Sequence, residues 1–179
     1  MSKRNVEEYK YMNAHPINNC GITIGNIEDD SYDHWRVSLI GPKDTSYKGG
    51  LFYLEIHFPP DYPNKAPEVY FITPIYHLNV NPCAPKKEGD ESLGHICIST
   101  LNWWKPEYKI REVLLNIYSL FYMANVSCPY GINRAQEYKE DRDTYEEKVK
   151  YFTKKYARFS NTMNCRHTYK RDQDWDFTL

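Results

Sequence analysis

LFYLEIHF, residues 51–58, alternates: Phe52, Leu54, Ile56 and Phe58 fall on one side, Tyr53, Glu55 and His57 on the other. Side chains two apart share a face of an extended chain, so this period predicts a strand with one apolar face. Gly49-Gly50 before it and Pro59-Pro60 after it punctuate the run. Outward toward the N-terminus, 35–40 sets Trp35, Val37 and Leu39 against Arg36, Ser38 and Ile40, and Gly41-Pro42-Lys43-Asp44 makes the turn. Before that, 21–27 sets Ile22 and Ile24 against Thr23 and Gly25, followed by Asp29-Asp30-Ser31. Outward toward the C-terminus, 69–72 is a shorter run of the same kind. Four successive strands with short turns predict an antiparallel meander. Its apolar face needs a cover.

The strongest helical pattern, 110–123, supplies that cover. Ile110, Val113, Leu114, Ile117 and Phe121 form a stripe, and Leu115, Tyr118 and Leu120 make the rest apolar. A helix apolar nearly all round is expected to be buried. Its expected N-cap, Lys109, is a poor capping residue. Residues 3–13 predict an amphipathic first helix with Val6, Tyr9 and Met12-Asn13 near one face, stopped at His15-Pro16. Two helices are expected over 133–140 and 141–158, the second with Tyr145, Val149, Phe152 and Tyr156 on one face and solvated charge elsewhere. The Pro-rich stretch 59–67 reads as scaffold, with Tyr62-Pro63 the expected cis bond. The fold class is therefore α+β. A domain over 1–158 is followed by a polar extension, 159–179, which reads as a loose tail or as a docking peptide anchored by Trp175.

With 179 residues, 41% of them hydrophobic, the chain has material for one sizeable core. A net charge of −1 argues against a general nucleic-acid or membrane binder. No run is long and apolar enough for a membrane span, and the N-terminus lacks the apolar centre of a signal peptide. A cytoplasmic or nuclear location is expected. Five Cys at scattered spacings suit free thiols in a reducing compartment better than a disulfide frame. No CxxC or HxxxH pair suggests a metal site.

The chemistry concentrates in 76–104, YHLNVNPCAPKKEGDESLGHICISTLNWW. A thiolate attacks a carbonyl-type carbon well if it is exposed and a donor faces the oxygen that turns negative. Cys97 is the candidate nucleophile and Asn79 the candidate donor. Pro82, Pro85, Gly89, Gly94 and a Lys/Glu run lie between them, so a surface loop must fold back to join them. Read alone, a Cys between Ile96 and Ile98 is more often a small buried hydrophobe. His95, two residues away, makes no dyad by adjacency alone.

His77-Leu78-Asn79, then Gly94-His95-Ile96-Cys97-Ile98, then Trp104-Lys105-Pro106 resembles the active-site flap of ubiquitin-conjugating enzymes. Their usual pattern is His-Pro-Asn, a short loop, Gly-x-Ile-Cys-Leu and Trp-x-Pro. His34-Trp35, Gly41-Pro42, Tyr47-Lys48-Gly49-Gly50-Leu51-Phe52 and Phe58-Pro59-Pro60-Asp61-Tyr62-Pro63 agree in order. Their wording is nearest to the promiscuous subfamily that works with RING ligases. The resemblance implies a UBC-like fold: an N-terminal helix, a four-stranded meander, the flap, a central buried helix and two C-terminal helices. It implies that Cys97 takes ubiquitin from an activating enzyme as a thioester and passes it to a substrate lysine. Asn79 would stabilise the oxyanion or hold the flap that does, and His77 would brace the flap. No cofactor is implied, because the activating enzyme uses the ATP. Lys3 and Arg4 on the first helix would meet the activating enzyme and the ligase. Asn64 and the Lys105-Pro106-Glu107 loop would face the ligase.

Several positions depart from the family pattern. Leu78 replaces the usual Pro, and the loop from Asn79 to Cys97 is about ten residues longer than usual. Cys128 stands where the family often has an acid near the incoming lysine, and Ser99 stands where Asp is common. Asn64 takes the place of the usual ligase-facing Phe, and Glu107 that of a small residue. Two other readings remain: a non-catalytic or weakly active ubiquitin- or partner-binding variant, and conjugation of a different ubiquitin-like modifier.

Overall fold

The computed structural model describes residues 3–17, 21–25, 32–81 and 94–158. Most of the long loop after Asn79, the Asp29-Asp30-Ser31 turn and the extension 159–179 with Trp175 lie outside the described residues. So do Cys20, Cys83 and Cys165.

Four strands, β1 (Ile22–Ile24), β2 (His34–Ile40), β3 (Leu51–His57) and β4 (Glu68–Phe71), pair antiparallel in sequence order. This is the expected meander. Trp35 pairs with Ile56, Val37 with Leu54 and Leu39 with Phe52, so the alternating apolar residues stack on one face. All six are at most 1% exposed. The opposite face of β3 is less open than simple alternation predicts. Leu51 and Glu55 are also buried. Glu55 there pairs with Arg36 of β2 and accepts a hydrogen bond from Tyr70 of β4.

Helix α3 (Ile110–Ser119) covers the apolar face. Val113, Leu114 and Ile117 join the strand residues in one contiguous core, and Phe121 lies 5.2 Å from the Phe52 ring. Burying each such side chain contributes about 1.5–3 kcal/mol. The helix stops four residues short of the predicted end. Leu115 is exposed while Val113, Leu114, Ile117 and Tyr118 are buried, so the helix presents one buried stripe rather than an apolar surface all round.

Helix α1 (Lys3–Ala14) corrects the predicted face. Its buried residues are Asn5, Glu8 and Met12, whereas Val6 and Tyr9 are half-buried and Asn13 is exposed. The polar pair is buried because it is bonded. Asn5 donates to the Tyr32 carbonyl and the Asp33 carboxylate. Glu8 accepts from Tyr62 Oη and from the Ile110 backbone N–H, both at 2.7 Å. The first N–H of α3, which no helical partner can satisfy, is thus capped from α1. Lys109, the N-cap, offers no side-chain cap, but its own N–H donates to Glu112.

Helices α4 (Ile132–Glu140) and α5 (Arg142–Tyr156) follow the loop after α3. Asp141 caps α5 by accepting from the Thr144 N–H. Tyr145 and Val149 are buried as expected, joined by Thr153, with Phe152 and Tyr156 half-buried. The Tyr62-Pro63 bond is cis, as expected. Among the described residues, no helix is long and apolar enough to cross a membrane.

Candidate active site

The flap is a short pairing of two segments far apart in sequence. The Cys97 N–H donates to the Asn79 carbonyl at 2.8 Å, the Asn81 N–H to the His95 carbonyl and the Gly94 N–H to the Asn81 carbonyl. Gly94 also accepts from the Phe71 N–H and has φ of +77°. A Cβ there would lie 2.2 Å from the Phe71 carbonyl oxygen, so only glycine fits the junction between β4 and the flap. This pairing seats Cys97, half-buried, immediately before the short helix α2 (Ser99–Asn102), which sequence periodicity did not predict.

Asn79 is fully buried and is held by its own bonds. Its Nδ2 donates to the carbonyls of Asn125 and Cys128 at 2.7 and 2.8 Å, and its Oδ1 accepts from the Asn125 N–H. Both amide hydrogens are therefore taken by the loop that follows α3. A donor that does reach the sulfur is Asn102, whose exposed Nδ2 lies 3.2 Å from Cys97 Sγ and 3.4 Å from Cys128 Sγ. Sequence reasoning missed it, because a single Asn between Leu101 and Trp103 carries no motif.

His77 is buried beside the flap. Its Nδ1 accepts from the Asn79 N–H, which leaves Nε2–H to donate to the Leu120 carbonyl at 3.1 Å. Burial pushes its pKa down to about 4, opposed by the Leu120 bond and assisted by the Arg134 charge. His77 is thus a neutral brace at neutral pH. Leu78, fully buried, donates its N–H to Tyr145 Oη, a bond that a proline there could not make. Arg134 of α4 donates to the carbonyls of His77 and Val80. The turn before Asn79 is thereby fixed by α4 and α5.

In the structure Cys97 and Cys128 are paired as a disulfide, 31 positions apart in the sequence and with Cα atoms 6.1 Å apart. This corrects the expectation of free thiols for these two residues. Sequence spacing did not show that the loop after α3 returns to the flap. Ser99 is exposed at the first position of α2. Among the described residues, no group of three or more His, Cys, Asp or Glu could hold a metal ion.

The candidate partner positions gather through a few contacts. Trp104 Nε1–H donates to the Pro63 carbonyl at 2.6 Å, which joins the Asn64 loop to the Lys105-Pro106-Glu107 loop. Asn64, Lys105, Pro106, Glu107 and Lys3 are exposed. Arg4 is not free: it is half-buried, pairs with Glu8 at 2.6 Å and reaches the Tyr108 carbonyl.

A family model described as ubiquitin-conjugating enzyme matches residues 4–153. The chain belongs to the ubiquitin-conjugating enzyme family. Its meander, covering helix and flap are the α+β UBC fold, and the matched region spans every element from α1 to the body of α5. Membership implies conjugating-enzyme activity of the general type, a transferase in ubiquitin-like conjugation that works on ubiquitin and with protein partners.

Proposed function

We propose that the chain accepts ubiquitin from the activating enzyme as a thioester on Cys97 and passes it to a substrate lysine. The observation that carries this is that Cys97, which the motif resemblance makes the nucleophile, is half-buried rather than sealed, with the Asn102 carboxamide 3.2 Å from its sulfur. The reaction runs from the reduced thiol. The Cys97 thiolate attacks the carbonyl at ubiquitin's C-terminus, and the activating enzyme's thiolate leaves. A lysine amine then attacks the new thioester, loses a proton, and the Cys97 thiolate leaves. Both steps pass through an oxyanion, which preorganised donors stabilise.

In this reading Asn79 holds the loop 125–128 against the flap, and His77 braces the same turn. Asn102 supplies the exposed amide at the sulfur. Cys128 and Ser99 line the approach of the lysine. Neither carries the acid usual there, so transfer to free lysine is slow until a ligase or substrate organises the site. The wording of 34–67 supports ubiquitin as modifier and RING ligases as partners, docked on Lys3, Arg4, Asn64 and Lys105-Pro106-Glu107. No cofactor is required. A cytoplasmic or nuclear setting, where glutathione keeps thiols reduced, suits a working Cys97. Mixing the reduced protein with activating enzyme, ATP and labelled ubiquitin should give a reductant-sensitive adduct, absent in Cys97→Ala. An adduct that persists in Cys97→Ala removes the nucleophile assignment. No adduct in the wild type favours a binding role or another modifier.

A further inference from the structure

We propose that Cys128 is a resolving thiol for Cys97, and that the pair is a reversible oxidation site that shuts acyl transfer when a hydroperoxide is present. The shut-off of transfer rests on the reading of Cys97 as nucleophile. The disulfide itself rests on geometry alone. Asn79 ties both cysteines at once: its carbonyl accepts from the Cys97 N–H and its Nδ2 donates to the Cys128 carbonyl, both at 2.8 Å. The two backbones are thereby held with Cα atoms 6.1 Å apart, inside the range a disulfide spans. Both residues are half-buried, open enough for a small oxidant, and Asn102 Nδ2 lies within reach of both sulfurs. An amide donor at a sulfur favours the thiolate, the form that reacts.

The chemistry balances with a hydroperoxide as oxidant. The Cys97 thiolate attacks the peroxide O–O bond, is oxidised to sulfenic acid, and the peroxide is reduced to water or an alcohol. The Cys128 thiolate then attacks that sulfur, the S–S bond forms and water leaves. A dithiol reverses the step by thiol–disulfide exchange. Without Cys128, further peroxide carries Cys97 on to sulfinic acid, which a dithiol does not restore.

The test uses the full chain, first reduced, then treated with excess hydrogen peroxide and quenched with catalase before any other protein is added. Intact mass should fall by two hydrogens, and peptide mapping should join Cys97 to Cys128. Ubiquitin acceptance should be lost and should return with a dithiol. In Cys128→Ser the mass should rise by two oxygens at Cys97, and acceptance, relative to its own untreated sample, should not return. Cys97 joined instead to Cys20, Cys83 or Cys165 overturns the proposal, as does sulfinic acid in the wild type or full dithiol recovery in Cys128→Ser. If no form ever accepts ubiquitin, the proposed function fails, while the mass and mapping still decide the disulfide.

Discussion

Asn79 gives both amide hydrogens to the carbonyls of Asn125 and Cys128, whereas the exposed Asn102 aims its amide at Cys97 Sγ. Their substitutions should therefore fail differently. Asn79→Ala removes the acceptor of the Asn125 N–H and the donor to the Cys128 carbonyl, leaves the Asn125 carbonyl with the Cys128 N–H alone, and should cost about 2–3 kcal/mol of stability. Urea unfolding of the reduced protein measures this, and an unchanged midpoint would mean that Asn79 is no brace. Asn102→Ala should leave stability almost untouched but slow alkylation of the reduced Cys97 thiol several-fold at neutral pH, because the reacting sulfur loses a donor worth about 1 kcal/mol. The alkylation rate at fixed pH, followed in a Cys128→Ser background, reads it, and an unchanged rate would rule out the amide–sulfur contact. At this scale the sequence was half legible. The flap motif points to Asn79 and Cys97, but no spacing reveals that the hydrogens of Asn79 are already committed.

The strands could be read from period-two alternation because one face is dry and the register pairs like with like, as Val37 does with Leu54. The face of α1 could not, because it buries Asn5 and Glu8 through bonds to distant partners, which hydrophobic periodicity ignores. The predicted four extra residues of α3 failed for a related reason: an apolar run, 120–123, continues the pattern after the helix has turned away. Glu8 links three parts of the molecule, accepting from Arg4, Tyr62 and Ile110. Glu8→Ala should cost about 2–4 kcal/mol, because a buried phenol and a helix-initiating N–H lose their acceptor. Chemical unfolding checks this. A loss below about 0.5 kcal/mol, the level of an ordinary surface change, would show that α1 does not cap α3.

For the molecule as a whole, the flap is clamped between β4, the loop after α3, and α4–α5, with His77 at the centre of the clamp. Its folded-state pKa of about 4 lies below the ordinary 6.5, so the unfolded chain binds the proton first as pH falls. The stability contributed by neutral His77 is full above pH 6.5, declines through the window down to 4 and is level below it. Between pH 7 and pH 5 this loss should be about 2 kcal/mol. Urea unfolding at the two pH values should show it in the wild type, and His77→Gln should lose that part of the slope. Equal slopes in both proteins would deny His77 its buried, neutral state. The α+β architecture and the sheet's cover were legible at this scale, because they follow from period and punctuation. The return of the loop around Cys128 to the flap was not, because it depends on contacts between positions far apart in the chain.

The most direct test of Cys97 as the acyl-accepting atom is Cys97→Ser, charged with activating enzyme, ATP and ubiquitin. An oxygen nucleophile at that position gives an ester in place of a thioester, so the adduct should become resistant to reductant, in contrast to the wild type. A reductant-sensitive adduct on the serine variant would place ubiquitin on another cysteine and contradict the account.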